Sequence, residues 1–221
     1  MFTAFFIGNI ASGKSSATRY LESCGAVRLD LDQMAKDLYV PGSPLLSSIS
    51  DEFGADVLDE DGRLRNAVLA ERAFCSPERS ARLNALVYPA LLDSLKGVLA
   101  ELDGAPAVPG RFVVVENSNA SGFRESLSLA DEVVVISVPL PIRRERALGR
   151  GMALEDFEAR AAVQPSDEEL LGLADTVIDN SSTAHDLERR LDSWMFERGV
   201  GPAVRSGSVA AEDGGAGEAR G

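Results

Sequence analysis

Apolar positions fall into short runs near the N-terminus and through the middle of the chain, separated by longer stretches of helical period. Thr3 to Ile7 is continuously apolar after its first residue and reads as a buried strand; Lys14 to Ser23 follows as a helix. Ala26 to Leu29 is a second short strand that ends at Asp30, which completes one strand–helix–strand unit. From Gln33 to about Asp103 the period is mostly helical. Pro44, Pro77 and Pro89 are placed near helix starts, and Asp59-Glu60-Asp61-Gly62 forms a turn between segments. Phe112 to Val115 and Glu132 to Val138 are β-branched runs too short for stable helices, and read as central parallel strands, with Asp175 to Asp179 the last of the sheet. Pro141 to Gln164 is charged and helical, with Gly149 and Gly151 as hinges for a lid. An amphipathic helix from Asp186 to Arg198 closes the pattern, with Trp194 and Phe196 as packing residues. The glycine-rich stretch from Gly199 to Gly221 lacks apolar periodicity and predicts a disordered tail.

The turn between the first strand and helix carries the clearest chemistry. Gly8-Asn9-Ile10-Ala11-Ser12-Gly13-Lys14-Ser15 fits G-x-x-x-x-G-K-[ST], the phosphate-cradling P-loop. Small residues let several backbone N–H groups converge on polyphosphate oxygens, Lys14 adds a mobile positive charge, and Ser15 offers a hydroxyl to Mg²⁺. The helix that begins there aims its positive end at the same anion. A bare glycine turn carrying a lysine is the alternative, but the strand before and the helix after supply the context the motif requires. The implied fold is α/β: a three-layer P-loop NTPase domain over residues 1–198 with a mostly parallel five-stranded sheet. It carries a helical acceptor-binding insertion at 33–103 and a helical lid at 141–164.

Composition narrows the partners. At 221 residues and 45% hydrophobic content the chain can bury a full core. The formal charge of −13 argues against duplex nucleic acid or an anionic membrane as partner. No apolar run is expected to reach membrane-spanning length, no secretory signal is recognisable, and the cytoplasm is the natural compartment. Cys24 and Cys75 are isolated and read as free thiols. His185 is the sole histidine, so any general base is a carboxylate. Polyanionic substrates then need locally concentrated positive charge, and Arg143, Arg144, Arg146 and Arg150 form the one dense basic cluster. On a solvent-facing helix beside Glu145, ordinary ion pairing is the alternative.

Asp30-Leu31-Asp32 lies where the second strand gives way to a helix, at the sheet edge where doubly wound folds bind ligands. Period-two alternation puts both carboxylates on one side, one to accept the proton of an attacking hydroxyl and the other to hold a metal-bound water. A helix N-cap followed by a solvated charge is the alternative. Glu116, at the end of Val113-Val114-Val115, occupies a strand end where P-loop enzymes often keep an acid for Mg²⁺.

At this point the sequence resembles the dephospho-CoA kinase family. Beyond the P-loop, the resemblance rests on Leu29-Asp30-Leu31-Asp32 with Ala35-Lys36, Pro41-Gly42-Ser43-Pro44, Phe53-Gly54, and Asp61-Gly62-Arg63-Leu64. It continues with Leu83-Asn84-Ala85-Leu86 before Pro89, Arg146 and Arg150, Ala159-Arg160 with Gln164, and Ala174 through Asn180. The resemblance implies phosphorylation of the ribose 3′-hydroxyl of dephospho-CoA by ATP with Mg²⁺, with no obligate protein partner. It implies catalytic roles for Asp32, Lys14 and Arg150. The ATP-binding set is Gly8, Ala11, Ser12, Gly13, Lys14, Ser15 and Ser16, with Arg146, Arg150 and Arg160 from the lid. Asp32, Asn84 and Tyr88 would meet the acceptor, and Ser15, Asp30 and Glu116 the metal. For Tyr88, packing beneath a proline-started helix is the alternative; for Arg160, a surface pair with Glu158.

The chain departs from the family pattern around the acceptor. The family usually carries arginine near Asn66, histidine where Tyr88 stands and lysine near Leu170. After the third strand, Val115 to Phe123 replaces an Asp-x-Pro-Leu-Leu-Phe-Glu segment. Two rival functions stay open on these grounds: a P-loop kinase of another nucleoside or nucleotide, and a module that binds nucleotide without transferring phosphate.

Overall fold

The computed structural model describes residues 1–106 and 108–202. Its centre is a sheet of five strands in the order β2-β3-β1-β4-β5, every pairing parallel. The strands are β1 (Thr3–Ile7), β2 (Val27–Asp30), β3 (Val113–Glu116), β4 (Glu132–Ser137) and β5 (Thr176–Asp179). Because helices cover both faces, the central strands are apolar on both sides rather than alternating. On one face Ala4, Phe6, Val114, Val134 and Ile136 pack under helices α1 (Lys14–Ser23) and α9 (Ala184–Arg198). On the other, Phe5, Val113 and Val115 meet Leu91, Leu92 and Leu95 of α5 (Pro77–Gly104). Ile7, Val133 and Val135 meet Leu170 of the short α8 (Asp167–Leu171) on that face.

The helical excursion consists of α2 (Leu31–Asp37), α3 (Pro44–Phe53), α4 (Asn66–Ala73) and α5. Ser43 and Ser76 cap α3 and α5 ahead of a proline in the first turn. A second core of Leu46, Ile49, Phe53, Leu69, Leu83 and Val87 holds this part together. α5 thus serves two cores, its first half the helical subdomain and its second half the sheet. Pro89 is a correction to the sequence reading: it lies inside α5, not near a helix start. Losing one backbone hydrogen bond there is offset by the continuous buried stripe on either side. α5 is also, by length and composition alone, apolar enough to cross a membrane, contrary to expectation; its apolar stripe is spent on these two cores.

The lid segment folds as α6 (Leu140–Gly149) and α7 (Leu154–Ala162), separated at Gly151, whose φ is 84°. Trp194 is buried and meets Phe6 edge-on at 5.4 Å, but Phe196 is 70% exposed and does not pack as expected. The tail expectation also needs correcting at its start. Gly199 ends α9 in the left-handed conformation, and the Gly201 N–H donates to Gly110 O at 2.8 Å. The glycines that suggested looseness there serve as a helix stop. Residues 203–221 lie outside the described residues.

Candidate functional site: a P-loop facing a carboxylate wall

The loop between β1 and α1 has the backbone the motif requires. A Cβ on Gly13 would lie 2.2 Å from Asn180 Nδ2, and one on Gly8 2.8 Å from Ile136 O, so both positions admit only glycine. Gly13 caps α1 in a left-handed conformation without any side-chain acceptor, which leaves the first-turn amides at Lys14, Ser15 and Ser16 uncapped and available to an anion. Ala11 adopts φ 61°. The Ser12 hydroxyl is buried without a partner; its contribution is its backbone, whose N–H donates to Asn9 O and whose carbonyl accepts from Asn180 Nδ2 at 2.8 Å. Lys14 is buried, and desolvation pulls its ammonium below the usual lysine range while Glu116, Asp32 and Asp30 act to restore it. A triphosphate would supply the counter-charge this lysine lacks.

The carboxyl edge of the sheet brings the acids together. Parallel register pairs Asp30 with Glu116 across β2 and β3. Glu116 accepts hydrogen bonds from Ser15 Oγ, from Thr18 Oγ1 at 2.8 Å and from Arg28 Nη2 at 2.6 Å. Burial acts to raise its pKa, but these donors and Lys14 hold it below the usual carboxylate value. Arg28 also pairs with Asp30 Oδ2 at 2.7 Å. The sequence reading missed Arg28, although a charged residue two positions before Asp30 on the same strand face is a signal for it.

Asp30 and Asp32 are not related by strand alternation, because the strand stops at Asp30. Asp30 caps α2, its Oδ1 accepting from the N–H groups of Asp32 and Gln33 at 3.1 and 3.2 Å. Both of its oxygens are thereby engaged. Asp32 sits in the first turn of α2, exposed to the cleft, and Ser118 Oγ donates to its Oδ2 at 2.5 Å. Its charge acts to raise the pKa of both Lys14 and Tyr88.

Beyond Asp32, Tyr88 stacks on Phe123 at 4.4 Å between ring centroids, and its hydroxyl accepts from Asn119 Nδ2 at 2.6 Å. Burial, with the charge of Asp32, pushes the Tyr88 phenol up, against the opposing bond from Asn119. Two departures from the family pattern, Tyr88 and the segment after β3, therefore meet as one wall. Asn84 lies one turn before Tyr88 on the same face of α5. Asn66 is exposed at the start of α4, and Leu170 is buried under the sheet.

In the lid, the basic cluster divides. Arg143 is buried and structural: Nε donates to Val138 O and Nη2 to Asp167 Oδ1. Arg146 reaches Ser182 O in the loop after β5, and Arg150, at the end of α6, bonds only the carbonyl of Arg146. Among the described residues neither these two nor Arg160 forms an ion pair, so the expected alternative partners Glu145 and Glu158 do not engage them. A cavity of about 980 Å³ lies between α6 and α7, lined by Leu148, Phe157 and Ala161 and by Asn9, Gln164 and Asp167; neither Lys14 nor Asp32 lines it.

An all-parallel sheet with a P-loop after its first central strand, a helical subdomain over one side and a two-helix lid over the other defines a small-molecule kinase of the P-loop class. Shikimate kinase from Acinetobacter baumannii shares the fold at a TM-score of 0.51 and 15% identity, over 90% of this chain and 94% of that one. Within that class, the dephospho-CoA kinase family model matches residues 5–186. A dephospho-CoA kinase of Corynebacterium diphtheriae is 40% identical over 184 residues, covering 82% of this chain and 90% of the relative. That of Thermobifida fusca is 38% identical over 186 residues, covering 83% and 90%. Among solved structures, TT1252 from Thermus thermophilus aligns at a TM-score of 0.72 and 29% identity, over 89% of this chain and 97% of that one. This chain belongs to the dephospho-CoA kinase family.

Proposed function

We infer that this protein transfers the γ-phosphoryl group of ATP to the ribose 3′-hydroxyl of dephospho-CoA, forming coenzyme A and ADP. The observation that carries the reading is that the P-loop, with Lys14 buried behind uncapped first-turn amides, and Asp32, held by Ser118 in the first turn of α2, both stand at the carboxyl edge of the sheet. Phosphoryl transfer needs charge neutralisation and in-line placement more than covalent help. In this reading the P-loop amides and Lys14 hold the β- and γ-phosphates, and Asp32 orients the attacking hydroxyl and takes its proton. Tyr88 and Asn84 face the acceptor; Arg146, Arg150 and Arg160, uncommitted to any carboxylate, meet the nucleotide and the transferring group.

The residues suit Mg²⁺. Ser15 donates its hydroxyl proton to Glu116 and so keeps its oxygen lone pairs for a cation, while Glu116 would act through a metal-bound water. Among the described residues no cluster of three acids, cysteines or histidines is present, so phosphate oxygens and waters would complete the shell, as Mg²⁺ prefers. Bound there, the ion would neutralise charge on the β- and γ-oxygens. Asp30 holds α2 and Arg28 in place rather than the metal. The acidic charge of −13 supports small-molecule substrates over nucleic acid or membrane, and two free cysteines suit the cytoplasm.

A coupled assay with ATP, Mg²⁺ and dephospho-CoA tests the reading, run beside Asp32→Asn. The expected result is acceptor-dependent ADP release that falls in the variant by on the order of 10²-fold in kcat, with ATP affinity unchanged. ADP release unresponsive to dephospho-CoA but stimulated by another nucleoside would favour the kinase of a different acceptor, for which the remodelled Tyr88–Phe123 wall is the motivating observation.

A further inference from the structure

Three segments far apart in sequence are joined in series at the entry of the P-loop. Asn9 is 6% exposed and spends both amide hydrogens on the connection between α7 and α8: Nδ2 donates to Pro165 O and to Asp167 Oδ1, each at 3.0 Å. Next to it, the Ile10 N–H donates to Gln164 Oε1 at 2.7 Å. The same Asp167 Oδ1 accepts from Arg143 Nη2 at 3.0 Å, and Arg143, itself 5% exposed, is anchored to Val138 O at the root of α6. One carboxylate oxygen thus joins the phosphate loop to the helix that carries Arg146 and Arg150. None of these groups has a task in the chemistry described above.

We propose that Asn9, Gln164, Asp167 and Arg143 form a strap that fixes the entry of the P-loop to the foot of the lid, making them positioning residues for the triphosphate. The physical need is visible in the loop. Ala11 holds a left-handed φ of 61°, and a residue with a Cβ keeps such a backbone only where its surroundings over-determine it. On the side facing the loop after β5, Asn180 clamps Ser12 O. At its start the strap clamps Asn9 and Ile10, so the loop is held by side-chain hydrogen bonds on both sides of Ala11 along the chain. Because Arg143 shares the helix of Arg146 and Arg150, the strap also sets the height of the lid arginines relative to the phosphate nest. Hydrogen bonds to a charged partner in such a setting correspond to roughly tenfold or more in affinity.

The inference rests on the kinase reading for its consequence in turnover, but its test can be made on ATP alone. ATP dissociation constants would be measured calorimetrically without acceptor for Asp167→Ala, Asp167→Asn, Asn9→Ala and the double alanine variant, together with melting temperatures. ATP and acceptor KM would then be measured separately. The expected result is that Asp167→Ala and Asn9→Ala each weaken ATP binding about tenfold, with acceptor KM unchanged. Asp167→Asn, which keeps an oxygen for both donors, should recover most of the loss. The double variant should be no worse than about the weaker single, because both break one connection. Asn9→Ala leaves the Arg143–Asp167 pair intact and so guards against a folding defect in Asp167→Ala. Unchanged ATP affinity in both single variants, losses that multiply in the double, or equal loss in Asp167→Asn would overturn the strap. If ATP affinity responds as expected while dephospho-CoA is not phosphorylated by the parent protein, the strap stands and the acceptor assignment falls.

Discussion

Two buried glutamates, each held by an arginine, stand at opposite edges of the same sheet and do different work. Glu132 opens β4 at the amino edge; Arg198 grips both its oxygens, Trp194 Nε1 donates to it at 3.2 Å, and the guanidinium lies over the Trp194 ring at 5.0 Å. Every partner belongs to a strand or to α9, and nothing is left open. Glu116 closes β3 at the carboxyl edge with Arg28 and Thr18 in the same roles, but Ser15, which donates to it, and Lys14, whose charge acts on it, belong to the phosphate loop. The same ion-pair chemistry stabilises where all partners are scaffold, and prepares a site where one side faces a cleft.

The sharpest way to expose this difference is at Lys14. Lys14→Ala should lower kcat/KM by on the order of 10³-fold, because it removes the charge aimed at the transferring group. In the ligand-free protein the same change should not lower the melting temperature, since burial already holds the lysine below its ordinary pKa. A large loss of ligand-free stability would show that Lys14 is scaffold after all. The depressed pKa also fixes a sign for binding: ATP affinity should decline with rising pH before the ordinary lysine value of 10.5 is reached.

Exchanging the two glutamates for glutamine tests the pair directly. Glu132→Gln leaves the largely buried Arg198 with only the exposed Glu197 as counter-charge and should cost about 2–3 kcal/mol, a fall of roughly 4–12 °C in melting temperature for a chain of this size, with kcat intact. Glu116→Gln keeps Arg28 paired to Asp30 and should cost less stability than Glu132→Gln, while turnover falls on the order of 10- to 100-fold through the Ser15 metal position. Reversed outcomes would undo the contrast between the edges.

Acid should affect the two edges alike. Both carboxyls are held below the 4.5 of an unstructured glutamate, so each contributes stability that is complete above that value and is lost as pH falls through its lower, folded value. Stability measured by denaturant should therefore decline below about pH 4.5, and the decline should be shallower in Glu132→Gln, where one of the two titrating groups is gone.

How much of this was legible in advance follows from how local each feature is. Gly8 to Ser15 is a contiguous motif whose chemistry depends on spacing along the chain and which marks the start of α1, and β1, β3 and β4 announce themselves by runs of apolar residues. The family resemblance supplied Asp32 and Tyr88. What went unread takes its meaning from contacts between distant segments. Arg28 matters because β2 pairs with β3 in a register that sets it beside a glutamate 88 residues away. Asn180 matters because its amide reaches Ser12 across 168 residues. Pro89 was misread because local propensity marks proline as a helix start, whereas burial on both sides carries α5 through it.

The smallest predicted effect concerns backbone strain, and again the two edges differ. Where α9 ends, the chain meets φ 63° with Gly199, the residue for which that conformation is free; in the phosphate loop it meets φ 61° with Ala11, the only non-glycine described residue with positive φ. A left-handed alanine costs roughly 1–2 kcal/mol in the folded state. Glycine would relieve that, but it adds about 0.5–1 kcal/mol of backbone freedom to the unfolded chain. Ala11→Gly should accordingly stabilise by no more than about 1 kcal/mol, a rise of roughly 2–4 °C, with ATP affinity kept within about twofold because Asn180 and the strap still hold the loop at both ends. A clear loss of ATP affinity at unchanged or higher melting temperature would mean that the alanine methyl, and not the clamps on either side, keeps the loop in its phosphate-ready shape.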